Sequence, residues 1–413
     1  MSFKPISISL SPNVEKDDIK LVFDLLKKPA NWKKGEAIEN LEKEFKKYFH
    51  IKYIFSFNSG RSSFLAILKG LNLEQGSEVL IQSFTCNAAV NPIIWAGYKP
   101  IYVDIDEGDF NIDINDLNAK ITSKTRAIVI QHTFGIPAKI EEIVKICREK
   151  NLILIEDCAH CLGAENNGKK LGTFGKAAFF SFSRDKVISS VYGGIVATND
   201  EILAENLKKY RDSLDFPSNF WIFQQLIHPL FLNYLILPTY GFLGLGKFLL
   251  IVFQNLNILS KAVHWKEKIG QIPAYFPKKM PNALAILALN QFKKLEKFNK
   301  HRAKIAEIYF QELQNSGFIL PPKNRGQIFL RFSIKHLKAH QIIKNAWKKN
   351  ILLGDWYTSP IAPDDTKPDK LCYPNNCCKT AEKLSKITLN LPTHINISEE
   401  TAKFISNFIK KYD

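Results

Sequence analysis

The amino-acid sequence predicts an α/β protein with a mostly parallel central sheet flanked by helices, and with a small α+β domain at its carboxyl end. Two observations predict the sheet. Between residues 50 and 200, short apolar runs alternate with segments of helical periodicity, which is typical of strand–helix–strand units in a parallel sheet. The apolar runs also show little polar alternation, as expected of strands that helices cover on both faces.

The predicted elements follow one another in chain order across this region. The predicted strands are residues 53–57, 79–82, 101–104, 127–130, 152–156, 177–183 and 195–198. The predicted helices are residues 61–70, 88–97, 114–120 and 139–150. Gly97 is expected to end the second helix, because glycine readily adopts the left-handed conformation that closes a helix. Ligands of such sheets bind at the carboxyl ends of the strands, so the polar residues that follow these strands are the site candidates.

After Asp200 the chain becomes strongly apolar from Phe220 to Phe253, with interruptions near Pro238 and Gly241. One interpretation is a helical hairpin that makes a peripheral membrane contact within one leaflet. The other is a segment buried in the dimer or under the small domain. The interruptions favour the buried alternative, since apolar runs broken by proline and glycine are more typical of a core than of a membrane span.

The last third of the chain has a different organisation. A long helical stretch is predicted over residues 282–314, followed by a strand at 328–334 and a helix at 399–411. This mixture predicts a small α+β domain. The predicted division is a large domain over residues 1–300, with an apolar insertion at about 220–260, and a small domain over residues 301–413.

Composition limits the class of protein. The 413 residues are 46% hydrophobic, which is enough to bury a sizeable core. The 57 basic and 40 acidic residues give a net charge of +17, which favours anionic partners such as phosphorylated metabolites or anionic lipid. The sequence contains no nucleic-acid-binding motif, so no nucleic-acid partner is expected. The opening residues lack the apolar core of a signal peptide, so a reduced, cytoplasmic setting is expected.

Cys158 and Cys161 form a C-x-x-C pair, one of the spacings found in zinc sites. Such a site needs a second pair of ligands. The remaining cysteine cluster, at Cys372, Cys377 and Cys378, is far away in sequence and has no matching spacing. We therefore expect ordinary buried thiols and no metal.

The first candidate motif, Asn-Ser-Gly-Arg-Ser, follows a predicted strand and opens a predicted helix. Backbone N–H groups at such a helix start can bind a phosphate. Arg61 and the hydroxyl of Ser62 would add charge-assisted hydrogen bonds around Gly60. The alternative is that the serines only cap the helix.

Two further candidates follow later strands. Asp157 comes after the run Leu-Ile-Leu-Ile-Glu, and a pyridine cofactor needs such a carboxylate to keep its ring nitrogen protonated. The alternative for Asp157 is a helix cap or an ion pair. Lys186 comes after Ala-Ala-Phe-Phe-Ser-Phe-Ser, where burial and nearby positive charge would depress its pKa as a Schiff-base lysine requires. The alternative for Lys186 is an ordinary surface lysine.

Taken together, the ordered motifs NSGRSS, HTFGIPA, LILIEDCAHCLGA, AFFSFSRDK and GGIVATND resemble the DegT/DnrJ/StrS family of sugar aminotransferases. The resemblance covers nearly the whole chain. It implies the fold-type-I architecture of pyridoxal-phosphate enzymes, with pyridoxal 5'-phosphate as cofactor. It also implies a homodimer whose subunits share the active site, and the amination of a keto-sugar nucleotide by an amino donor, typically glutamate.

The resemblance also implies residue roles. Lys186 would form the Schiff base and Asp157 would pair with the pyridine nitrogen, with His160 beside the cofactor. Gly60, Arg61 and Ser181 would hold the phosphate.

Two positions depart from the family pattern. Cys86 stands where an aromatic residue often stacks on the pyridine ring, and either Cys86 or Phe84 is expected to serve. An Asn-Tyr-Arg stretch of the family reaches the phosphate in the partner subunit; here Lys279 stands in that region without an asparagine, so Lys279 of the partner subunit would supply a point charge.

Two rival functions remain for this sequence. Dehydratases of the same family replace the Schiff-base lysine with histidine, whereas this chain keeps Lys186. A non-catalytic regulatory or membrane-associated protein could keep the fold alone. The combination of Asp157, Ser181 and Lys186 favours an enzyme over that second rival.

Overall fold

The computed structural model describes residues 4–413 of the chain. Its strands, in chain order, are β1 Ile6–Ser7, β2 Tyr53–Phe57, β3 Glu78–Gln82, β4 Thr85–Cys86, β5 Lys99–Val103, β6 Thr125–Gln131, β7 Ile153–Asp157, β8 Glu165–Asn166, β9 Lys169–Lys170, β10 Ala177–Ser181, β11 Gly194–Thr198, β12 Phe332–Lys335, β13 Ile351–Leu352, β14 Ile361–Ala362 and β15 Thr388–Leu391.

The central sheet has seven strands in the order β2–β11–β10–β7–β6–β3–β5. Neighbouring strands from β10 to β5 are parallel, and β11 runs antiparallel to both β10 and β2. The prediction of a mostly parallel sheet is therefore confirmed, and each of its strands overlaps a strand predicted from the sequence.

The α-helices are α1 Lys16–Leu26, α2 Ala37–Phe49, α3 Gly60–Leu71, α4 Asn87–Ala96, α5 Ile114–Lys120, α6 Ile140–Glu149, α7 Glu201–Ser213, α8 Asn219–Phe231, α9 Leu237–Thr239, α10 Leu245–Asn255, α11 Asn282–Phe292, α12 Leu295–Leu313, α13 Ala339–Lys348, α14 Lys379–Ile387 and α15 Glu399–Ile409. Short 3₁₀ helices lie at Pro29–Asn31, Thr133–Gly135, Trp265–Ile269, Pro368–Leu371 and Lys410–Tyr412. Gly97 ends α4 with a φ of 91°, as predicted.

Helices cover both faces of the sheet. In β10, Ala178 and Phe180 pack into one apolar core, which includes residues of α2 and α11. Ala177 and Phe179 pack into the other, which includes residues of α3 and α4. Because successive side chains of a strand point to opposite faces, both must be apolar here. This double burial explains why the strand sequences show little polar alternation.

The carboxyl part of the chain has an apolar core of its own, built by α12, α13, α15 and the antiparallel pair β12–β15. The predicted strand at 328–334 begins only at Phe332, so its first half is wrong. The N–H groups of Ile328 and Leu330 donate instead to the carbonyls of Gly135 and Phe134 in a loop of the large sheet. The domain boundary after residue 300 stays a prediction.

The long helical stretch predicted over residues 282–314 is confirmed, but it is divided into two helices. The structure has α11 and α12, separated at Lys293 and Lys294. Lys294 leaves the helical conformation, and its amine lies 2.9 Å from carboxylate oxygens of Asp17 and Asp18 at the start of α1. The helical periodicity of the sequence continues across this break and therefore conceals it.

Residues 219–255 form a helical hairpin that we call the apolar insert. Its first arm runs from α8 through a π-helical turn at Leu232–Ile236 to Thr239, and its second arm is α10. Among the described residues, the first arm, Asn219–Thr239, is the one helix long and apolar enough to cross a membrane, but 67% of that window is buried in the protein. In the second arm only Gly246 is buried, and the other residues of α10 are exposed or half-buried. Burial within the chain is therefore confirmed for the first arm, whereas burial of the second arm in a dimer stays a prediction.

Candidate active site

The carboxyl ends of β2, β7 and β10 border one cavity of roughly 490 Å³. Its wall contains most of the residues predicted for the site, namely Gly60, Arg61, Cys86, Asp157, His160, Ser181 and Lys186. Ser62 and Lys279 lie outside this wall. The sheet therefore brings together residues that are more than a hundred positions apart in the sequence.

Gly60 begins α3 directly after β2, and Ser59 caps the helix by accepting the N–H of Ser62 at 3.0 Å. The remaining N–H groups of the first turn stand at the positive end of the helix dipole. A Cβ atom on Gly60 would lie 2.8 Å from Cβ of Ser181, so glycine is required for this close approach. The result is a small cradle with the Ser181 hydroxyl beside it, which fits a phosphate group.

Ser62 has a structural role rather than the predicted contact with the cofactor. Its hydroxyl donates to Oδ1 of Asn58 at 2.7 Å, and its side chain is fully buried. Asn58 in turn donates through Nδ2 to the carbonyl of Tyr275 at 2.7 Å. This network holds the first turn of α3 in position, so the alternative interpretation of the motif as a helix cap is correct for Ser59 and Ser62.

Arg61 lines the cavity and is held in place from behind. Its Nε atom forms an ion pair with the buried carboxylate of Glu267, and its Nη2 atom donates to the carbonyl of Ala262 at 3.0 Å. Burial by itself lowers the pKa of Arg61, but the Glu267 carboxylate more than offsets this, so the pKa lies above its usual range. Arg61 therefore carries a fixed positive charge at the phosphate cradle.

Lys186 lies in the turn after β10, and buried side chains clamp its backbone. Nδ2 of Asn13 donates to the Lys186 carbonyl at 2.7 Å. Nη2 of Arg302 donates to the next carbonyl, that of Val187, at 2.7 Å, and to Oδ1 of Asn13 at 3.0 Å. These contacts fix the direction in which the lysine side chain enters the cavity.

Burial changes the titration of both central groups. It lowers the pKa of the Lys186 amine to about 8, although Cys86 and Asp157 oppose the shift. It raises the pKa of the Asp157 carboxyl to about 6, although the N–H of Ala159 and the charge of Lys186 oppose the shift. Asp157 Oδ1 accepts that N–H at 2.9 Å. Asp157 is thus oriented by the backbone, and its charge still faces the cavity.

His160 and Trp356 form an aromatic wall. Their rings are nearly parallel, with centroids 5.1 Å apart. Lys186 Nζ lies 4.7 Å from the Trp356 ring centroid on this wall. Burial lowers the pKa of His160 well below its usual range, so the imidazole is neutral and acts as a flat packing surface.

Cys86, rather than Phe84, is at the cavity. Cys86 ends β4 and lines the wall, and burial raises the pKa of its thiol. Phe84 is fully buried in an aromatic cluster with Phe110 and Tyr357, with ring centroids 5.5 and 5.4 Å from its own. Of the two alternatives, Cys86 lies at the cavity wall, and its contact with the pyridine ring stays a prediction.

Sequence reasoning missed Trp356 and gave Arg184 only the role of a positive charge that depresses the pKa of Lys186. Arg184 lines the cavity, and its Nη2 atom donates to Oγ of Ser260 at 2.5 Å. Its buried Nε atom has no hydrogen-bond partner within residues 4–413. Trp356 comes from a loop of the carboxyl part of the chain and packs under the Arg331 guanidinium, whose Cζ is 3.4 Å from the ring centroid. Trp356 belongs to no local motif, whereas Arg184 lies in the motif AFFSFSRDK, two residues before Lys186.

The C-x-x-C pair gains a third potential ligand in the structure. Ligand atoms of His132, Cys158 and Cys161 lie within 4.8 Å of one another, and all three residues are buried. However, Nδ1 of His132 accepts the N–H of Ala138 at 3.1 Å. The proton of a neutral imidazole then belongs on Nε2, which lies 3.4 Å from Oε2 of Glu156. This arrangement favours a hydrogen-bonded cluster over a metal site.

Lys279 lies beside the end of β2, outside the cavity wall. Its amine donates to the carbonyl of Asp212 at 3.0 Å, and its backbone bridges to Phe57. The predicted contact with the phosphate in a partner subunit stays a prediction.

The residues at the cavity fit pyridoxal phosphate. The cradle at Gly60 and Ser181 suits a phosphate, and the Asp157 carboxylate suits a protonated ring nitrogen. The Lys186 amine, with a pKa of about 8, is partly neutral at physiological pH. The flat wall of His160 and Trp356 suits an aromatic ring.

Comparison with known proteins gives the same answer. Residues 12–214 and 251–410 match the DegT/DnrJ/EryC1/StrS aminotransferase family. A GDP-perosamine synthase of Escherichia coli O157:H7 is 26% identical over 383 residues, which cover 92% of this chain and 91% of that protein. A GDP-perosamine synthase of Vibrio cholerae is 24% identical over 420 residues, which cover 97% of each chain.

Solved structures share the fold. The Helicobacter pylori aminotransferase PseC has a TM-score of 0.75 at 22% identity and covers 99% of both chains. The E. coli GDP-4-keto-6-deoxy-D-mannose-3-dehydratase, solved with hydrated pyridoxal phosphate, has a TM-score of 0.76 at 21% identity and covers 99% of this chain and 100% of its own. The family match and the geometry of the cavity lead to one conclusion: the chain is a pyridoxal-phosphate-dependent aminotransferase that belongs to the DegT/DnrJ/EryC1/StrS family.

Proposed function

We propose that this protein transfers an amino group from glutamate to a keto-sugar that is carried by a nucleotide, as a step in making amino sugars for surface polysaccharides. The observation that carries the proposal is the pairing of Lys186 and Asp157 in one buried cavity. Burial brings the pKa of the lysine to about 8, so its amine is available as a nucleophile and a base near neutral pH. The names of the two GDP-perosamine synthases support the class of acceptor.

The residues have distinct tasks in this reaction. Bound pyridoxal phosphate supplies an electron sink for negative charge at the substrate carbon. Gly60, Ser181 and the first turn of α3 bind its phosphate. Asp157 holds a proton at the ring nitrogen. Lys186 Nζ accepts a proton from the carbon of the amino donor. In the second half of the transfer it returns a proton to the carbon of the acceptor.

The acceptor carries negative charge, and the cavity has a matching wall. Arg61 and Arg184 both line it, and the buried Nε atom of Arg184 has no hydrogen-bond partner within residues 4–413. Guanidinium groups bind phosphate oxygens through directed, charge-assisted hydrogen bonds. This wall suits the diphosphate of a nucleotide sugar.

We place the reaction in the cytoplasm and in a homodimer, in which Lys279 of the partner subunit approaches the phosphate of the bound cofactor. A single positive charge at that point would supplement the neutral donors of Gly60 and Ser181.

The second candidate is a dehydratase with the same cofactor, because structures with this fold include GDP-4-keto-6-deoxy-D-mannose-3-dehydratase. Retention of Lys186 favours the aminotransferase, since the family's dehydratases have histidine there.

Visible absorption of the purified protein tests the proposal. Bound cofactor should give a yellow protein that loses its colour when glutamate is added, with release of one 2-oxoglutarate per bound cofactor. A keto-sugar nucleotide should then restore the colour and accept the amine. A protein that stays colourless with added pyridoxal phosphate, or that removes water from the sugar without gaining nitrogen, would contradict it.

A further inference from the structure

We propose that the apolar insert is a docking surface for an anionic lipid bilayer, which holds the protein at a membrane surface without crossing it. More than half of the large apolar side chains that are exposed among the described residues lie between residues 220 and 256. They include Phe220, Phe223, Tyr234, Leu235, Leu243, Leu245, Phe248, Ile251 and Leu256. Large exposed apolar patches on soluble proteins mark interaction sites.

The second arm of the insert, α10, carries large apolar side chains on its outer side as well as on its inner side. Leu250 and Phe253 pack inward against a small core with Ile236. Phe248 and Ile251, one helical turn apart, are 61% and 48% exposed on the outer side. Apolar side chains on both sides of a helix favour an apolar environment on both sides. Within residues 4–413, the chain supplies that environment to the inner side only.

The charges around this surface suit anionic lipid. Between Asp215 and Glu267 the sequence contains no aspartate or glutamate, whereas Lys247, Lys261 and Lys266 occur there. Trp265 is 58% exposed near the base of the hairpin, and tryptophan favours the headgroup level of a bilayer. Lysine near an anionic leaflet is attracted to it.

The same charges argue against a second copy of the chain as the occupant. A twofold interface brings the same patch of two subunits together. Here it would oppose lysines with lysines, with no acidic side chain of the insert to compensate. In addition, most of the insert, residues 219–250, lies between the two segments that match the family.

The surface is also connected to the active-site cavity. The segment that follows α10 supplies Ser260 to Arg184 and the carbonyl of Ala262 to Arg61. The Tyr192 hydroxyl donates to the carbonyl of Lys261 at 2.7 Å. Docking of the insert would therefore hold the cavity close to the lipid surface. The first arm is too deeply buried to span the bilayer, and Trp221, 5% exposed, is excluded from the headgroup level.

Vesicle flotation of the full-length, cofactor-loaded protein tests this. The protein should float with phosphatidylcholine–phosphatidylglycerol vesicles. Flotation should be about fivefold lower with pure phosphatidylcholine vesicles, because the attraction to anionic lipid is lost. The variant Lys247→Glu should show a similar, about fivefold reduction with the anionic vesicles. The double variant Phe248→Asp, Ile251→Asp should lose flotation while keeping its cofactor absorption. Leu243→Asp, at the hairpin tip where the side chain is 93% exposed, should weaken flotation without any packing loss.

The matched control is Leu337→Asp, Phe404→Asp, which places two carboxylates at exposed apolar sites outside the insert. It should float like the wild type. A wild-type protein that stays in solution with anionic vesicles overturns the proposal, as does equal loss of flotation in the control. If the Phe248, Ile251 variant instead converts a dimer into a monomer in light scattering, and the wild type does not float, the surface is an interface between two copies. Failure of flotation would leave the aminotransferase assignment unaffected, because colour loss with glutamate is measured separately.

Discussion

Charged side chains are usually exposed and large apolar side chains are usually buried. The cavity departs from the first rule, and the apolar insert departs from the second. In the cavity, the charged side chains of Asp157 and Lys186 are buried, and burial shifts the pKa of each towards its neutral form. In the insert, Phe248 and Leu243 are large apolar side chains left exposed. Each exposed phenylalanine or leucine forgoes roughly 1.5–3 kcal/mol of burial free energy. Both arrangements cost stability, so both are expected where a ligand or partner restores the balance.

The two regions also differ in whether they lie inside the segments that match the family. The cavity is built from residues inside the segments that match the family, whereas most of the insert falls between them. The residues of the cavity therefore lie in the part of the chain that matches the family, whereas most of the proposed docking surface lies outside it. Substitutions in one region should leave the function of the other unchanged.

The largest effect is expected at Lys186. In Lys186→Ala, covalent attachment of the cofactor and turnover should both be lost, because the cavity wall supplies no other lysine. Borohydride reduction followed by peptide mapping measures the attachment. Lys176→Ala, at an exposed lysine paired with Asp200, should retain both. An adduct that maps to another lysine of the wild type would contradict the central role of Lys186.

The next effect is expected at Asp157. In Asp157→Asn, turnover should fall by at least about a hundredfold, because the charge that holds the ring nitrogen protonated is lost. Asp109→Asn is the matched control, since Asp109 is a largely buried carboxyl whose pKa burial also raises, and it lies outside the cavity wall.

Thermal unfolding of the apoprotein distinguishes this role from a structural one. Burial raises the folded-state pKa of Asp157 above that of an unfolded carboxyl. The apoprotein therefore loses stability as the pH rises towards and through about 6. The Asn variant lacks this titration, so its apoprotein should unfold at pH 8 at a temperature no lower than the wild type. A large fall in that temperature, with near-normal turnover, would indicate that Asp157 is only a structural cap.

The sequence placed Gly60, Asp157 and Lys186 together because their signals are local. Each lies at the carboxyl end of a buried strand or within five residues after it, and the sheet topology brings these strand ends together. Trp356 reaches the cavity wall from a distant segment, and Ser260 contacts Arg184 from another. The positions of both depend on tertiary packing that no local pattern encodes.

The burial of the apolar insert was also beyond sequence reasoning. The two arms have similar apolar composition, yet α8 packs against α1 and α11 while α10 contacts little beyond the first arm. Which arm is covered depends on its neighbours in space. The break between α11 and α12 was hidden for a related reason, since Lys294 turns out of the helix towards carboxylates more than 270 residues away in the chain.

A tenfold effect is expected from Lys279. If it approaches the cofactor phosphate of the partner subunit, Lys279→Ala should weaken cofactor affinity by about tenfold, the loss of one charge-assisted contact. Lys278→Ala is the matched control, because its amine faces Asp215 instead. Equilibrium dialysis measures the affinity. Equal affinities for the two variants, or a monomer in light scattering at micromolar concentration, would argue against the shared site.

The rate at which the apoprotein captures the cofactor should change by a similar factor when the pH is raised. The apoprotein captures pyridoxal phosphate through the neutral form of Lys186, whose pKa is about 8. Only about a tenth of the amine is neutral at pH 7, so the capture rate should rise about tenfold from pH 7 to 9 and then level off. Stopped-flow absorbance measures this rate. A rate that keeps rising to pH 10 would show that the lysine titrates like an ordinary exposed one.

The smallest effect tests the junction between the two regions. Ser260 accepts a hydrogen bond from Arg184 of the cavity and donates one to Oε1 of Gln225, a buried residue of α8, at 2.7 Å. In Ser260→Ala, Arg184 loses this anchor, and KM for the nucleotide-sugar acceptor should rise about fivefold, in line with one hydrogen bond of ~1 kcal/mol. The glutamate half-reaction should be unchanged, because Arg184 is proposed to contact only the acceptor.

Two comparisons make this test specific. Ser260→Thr keeps the hydroxyl and should restore KM, whereas a general loss of packing would not be rescued. Leu243→Asp lies at the far end of the same hairpin and should change both half-reactions by less than about twofold, because an exposed side chain distant from the cavity contributes little to it. If Leu243→Asp alters KM as much as Ser260→Ala does, the insert influences catalysis along its whole length. Substitutions in the insert would then affect the function of the cavity, contrary to our expectation.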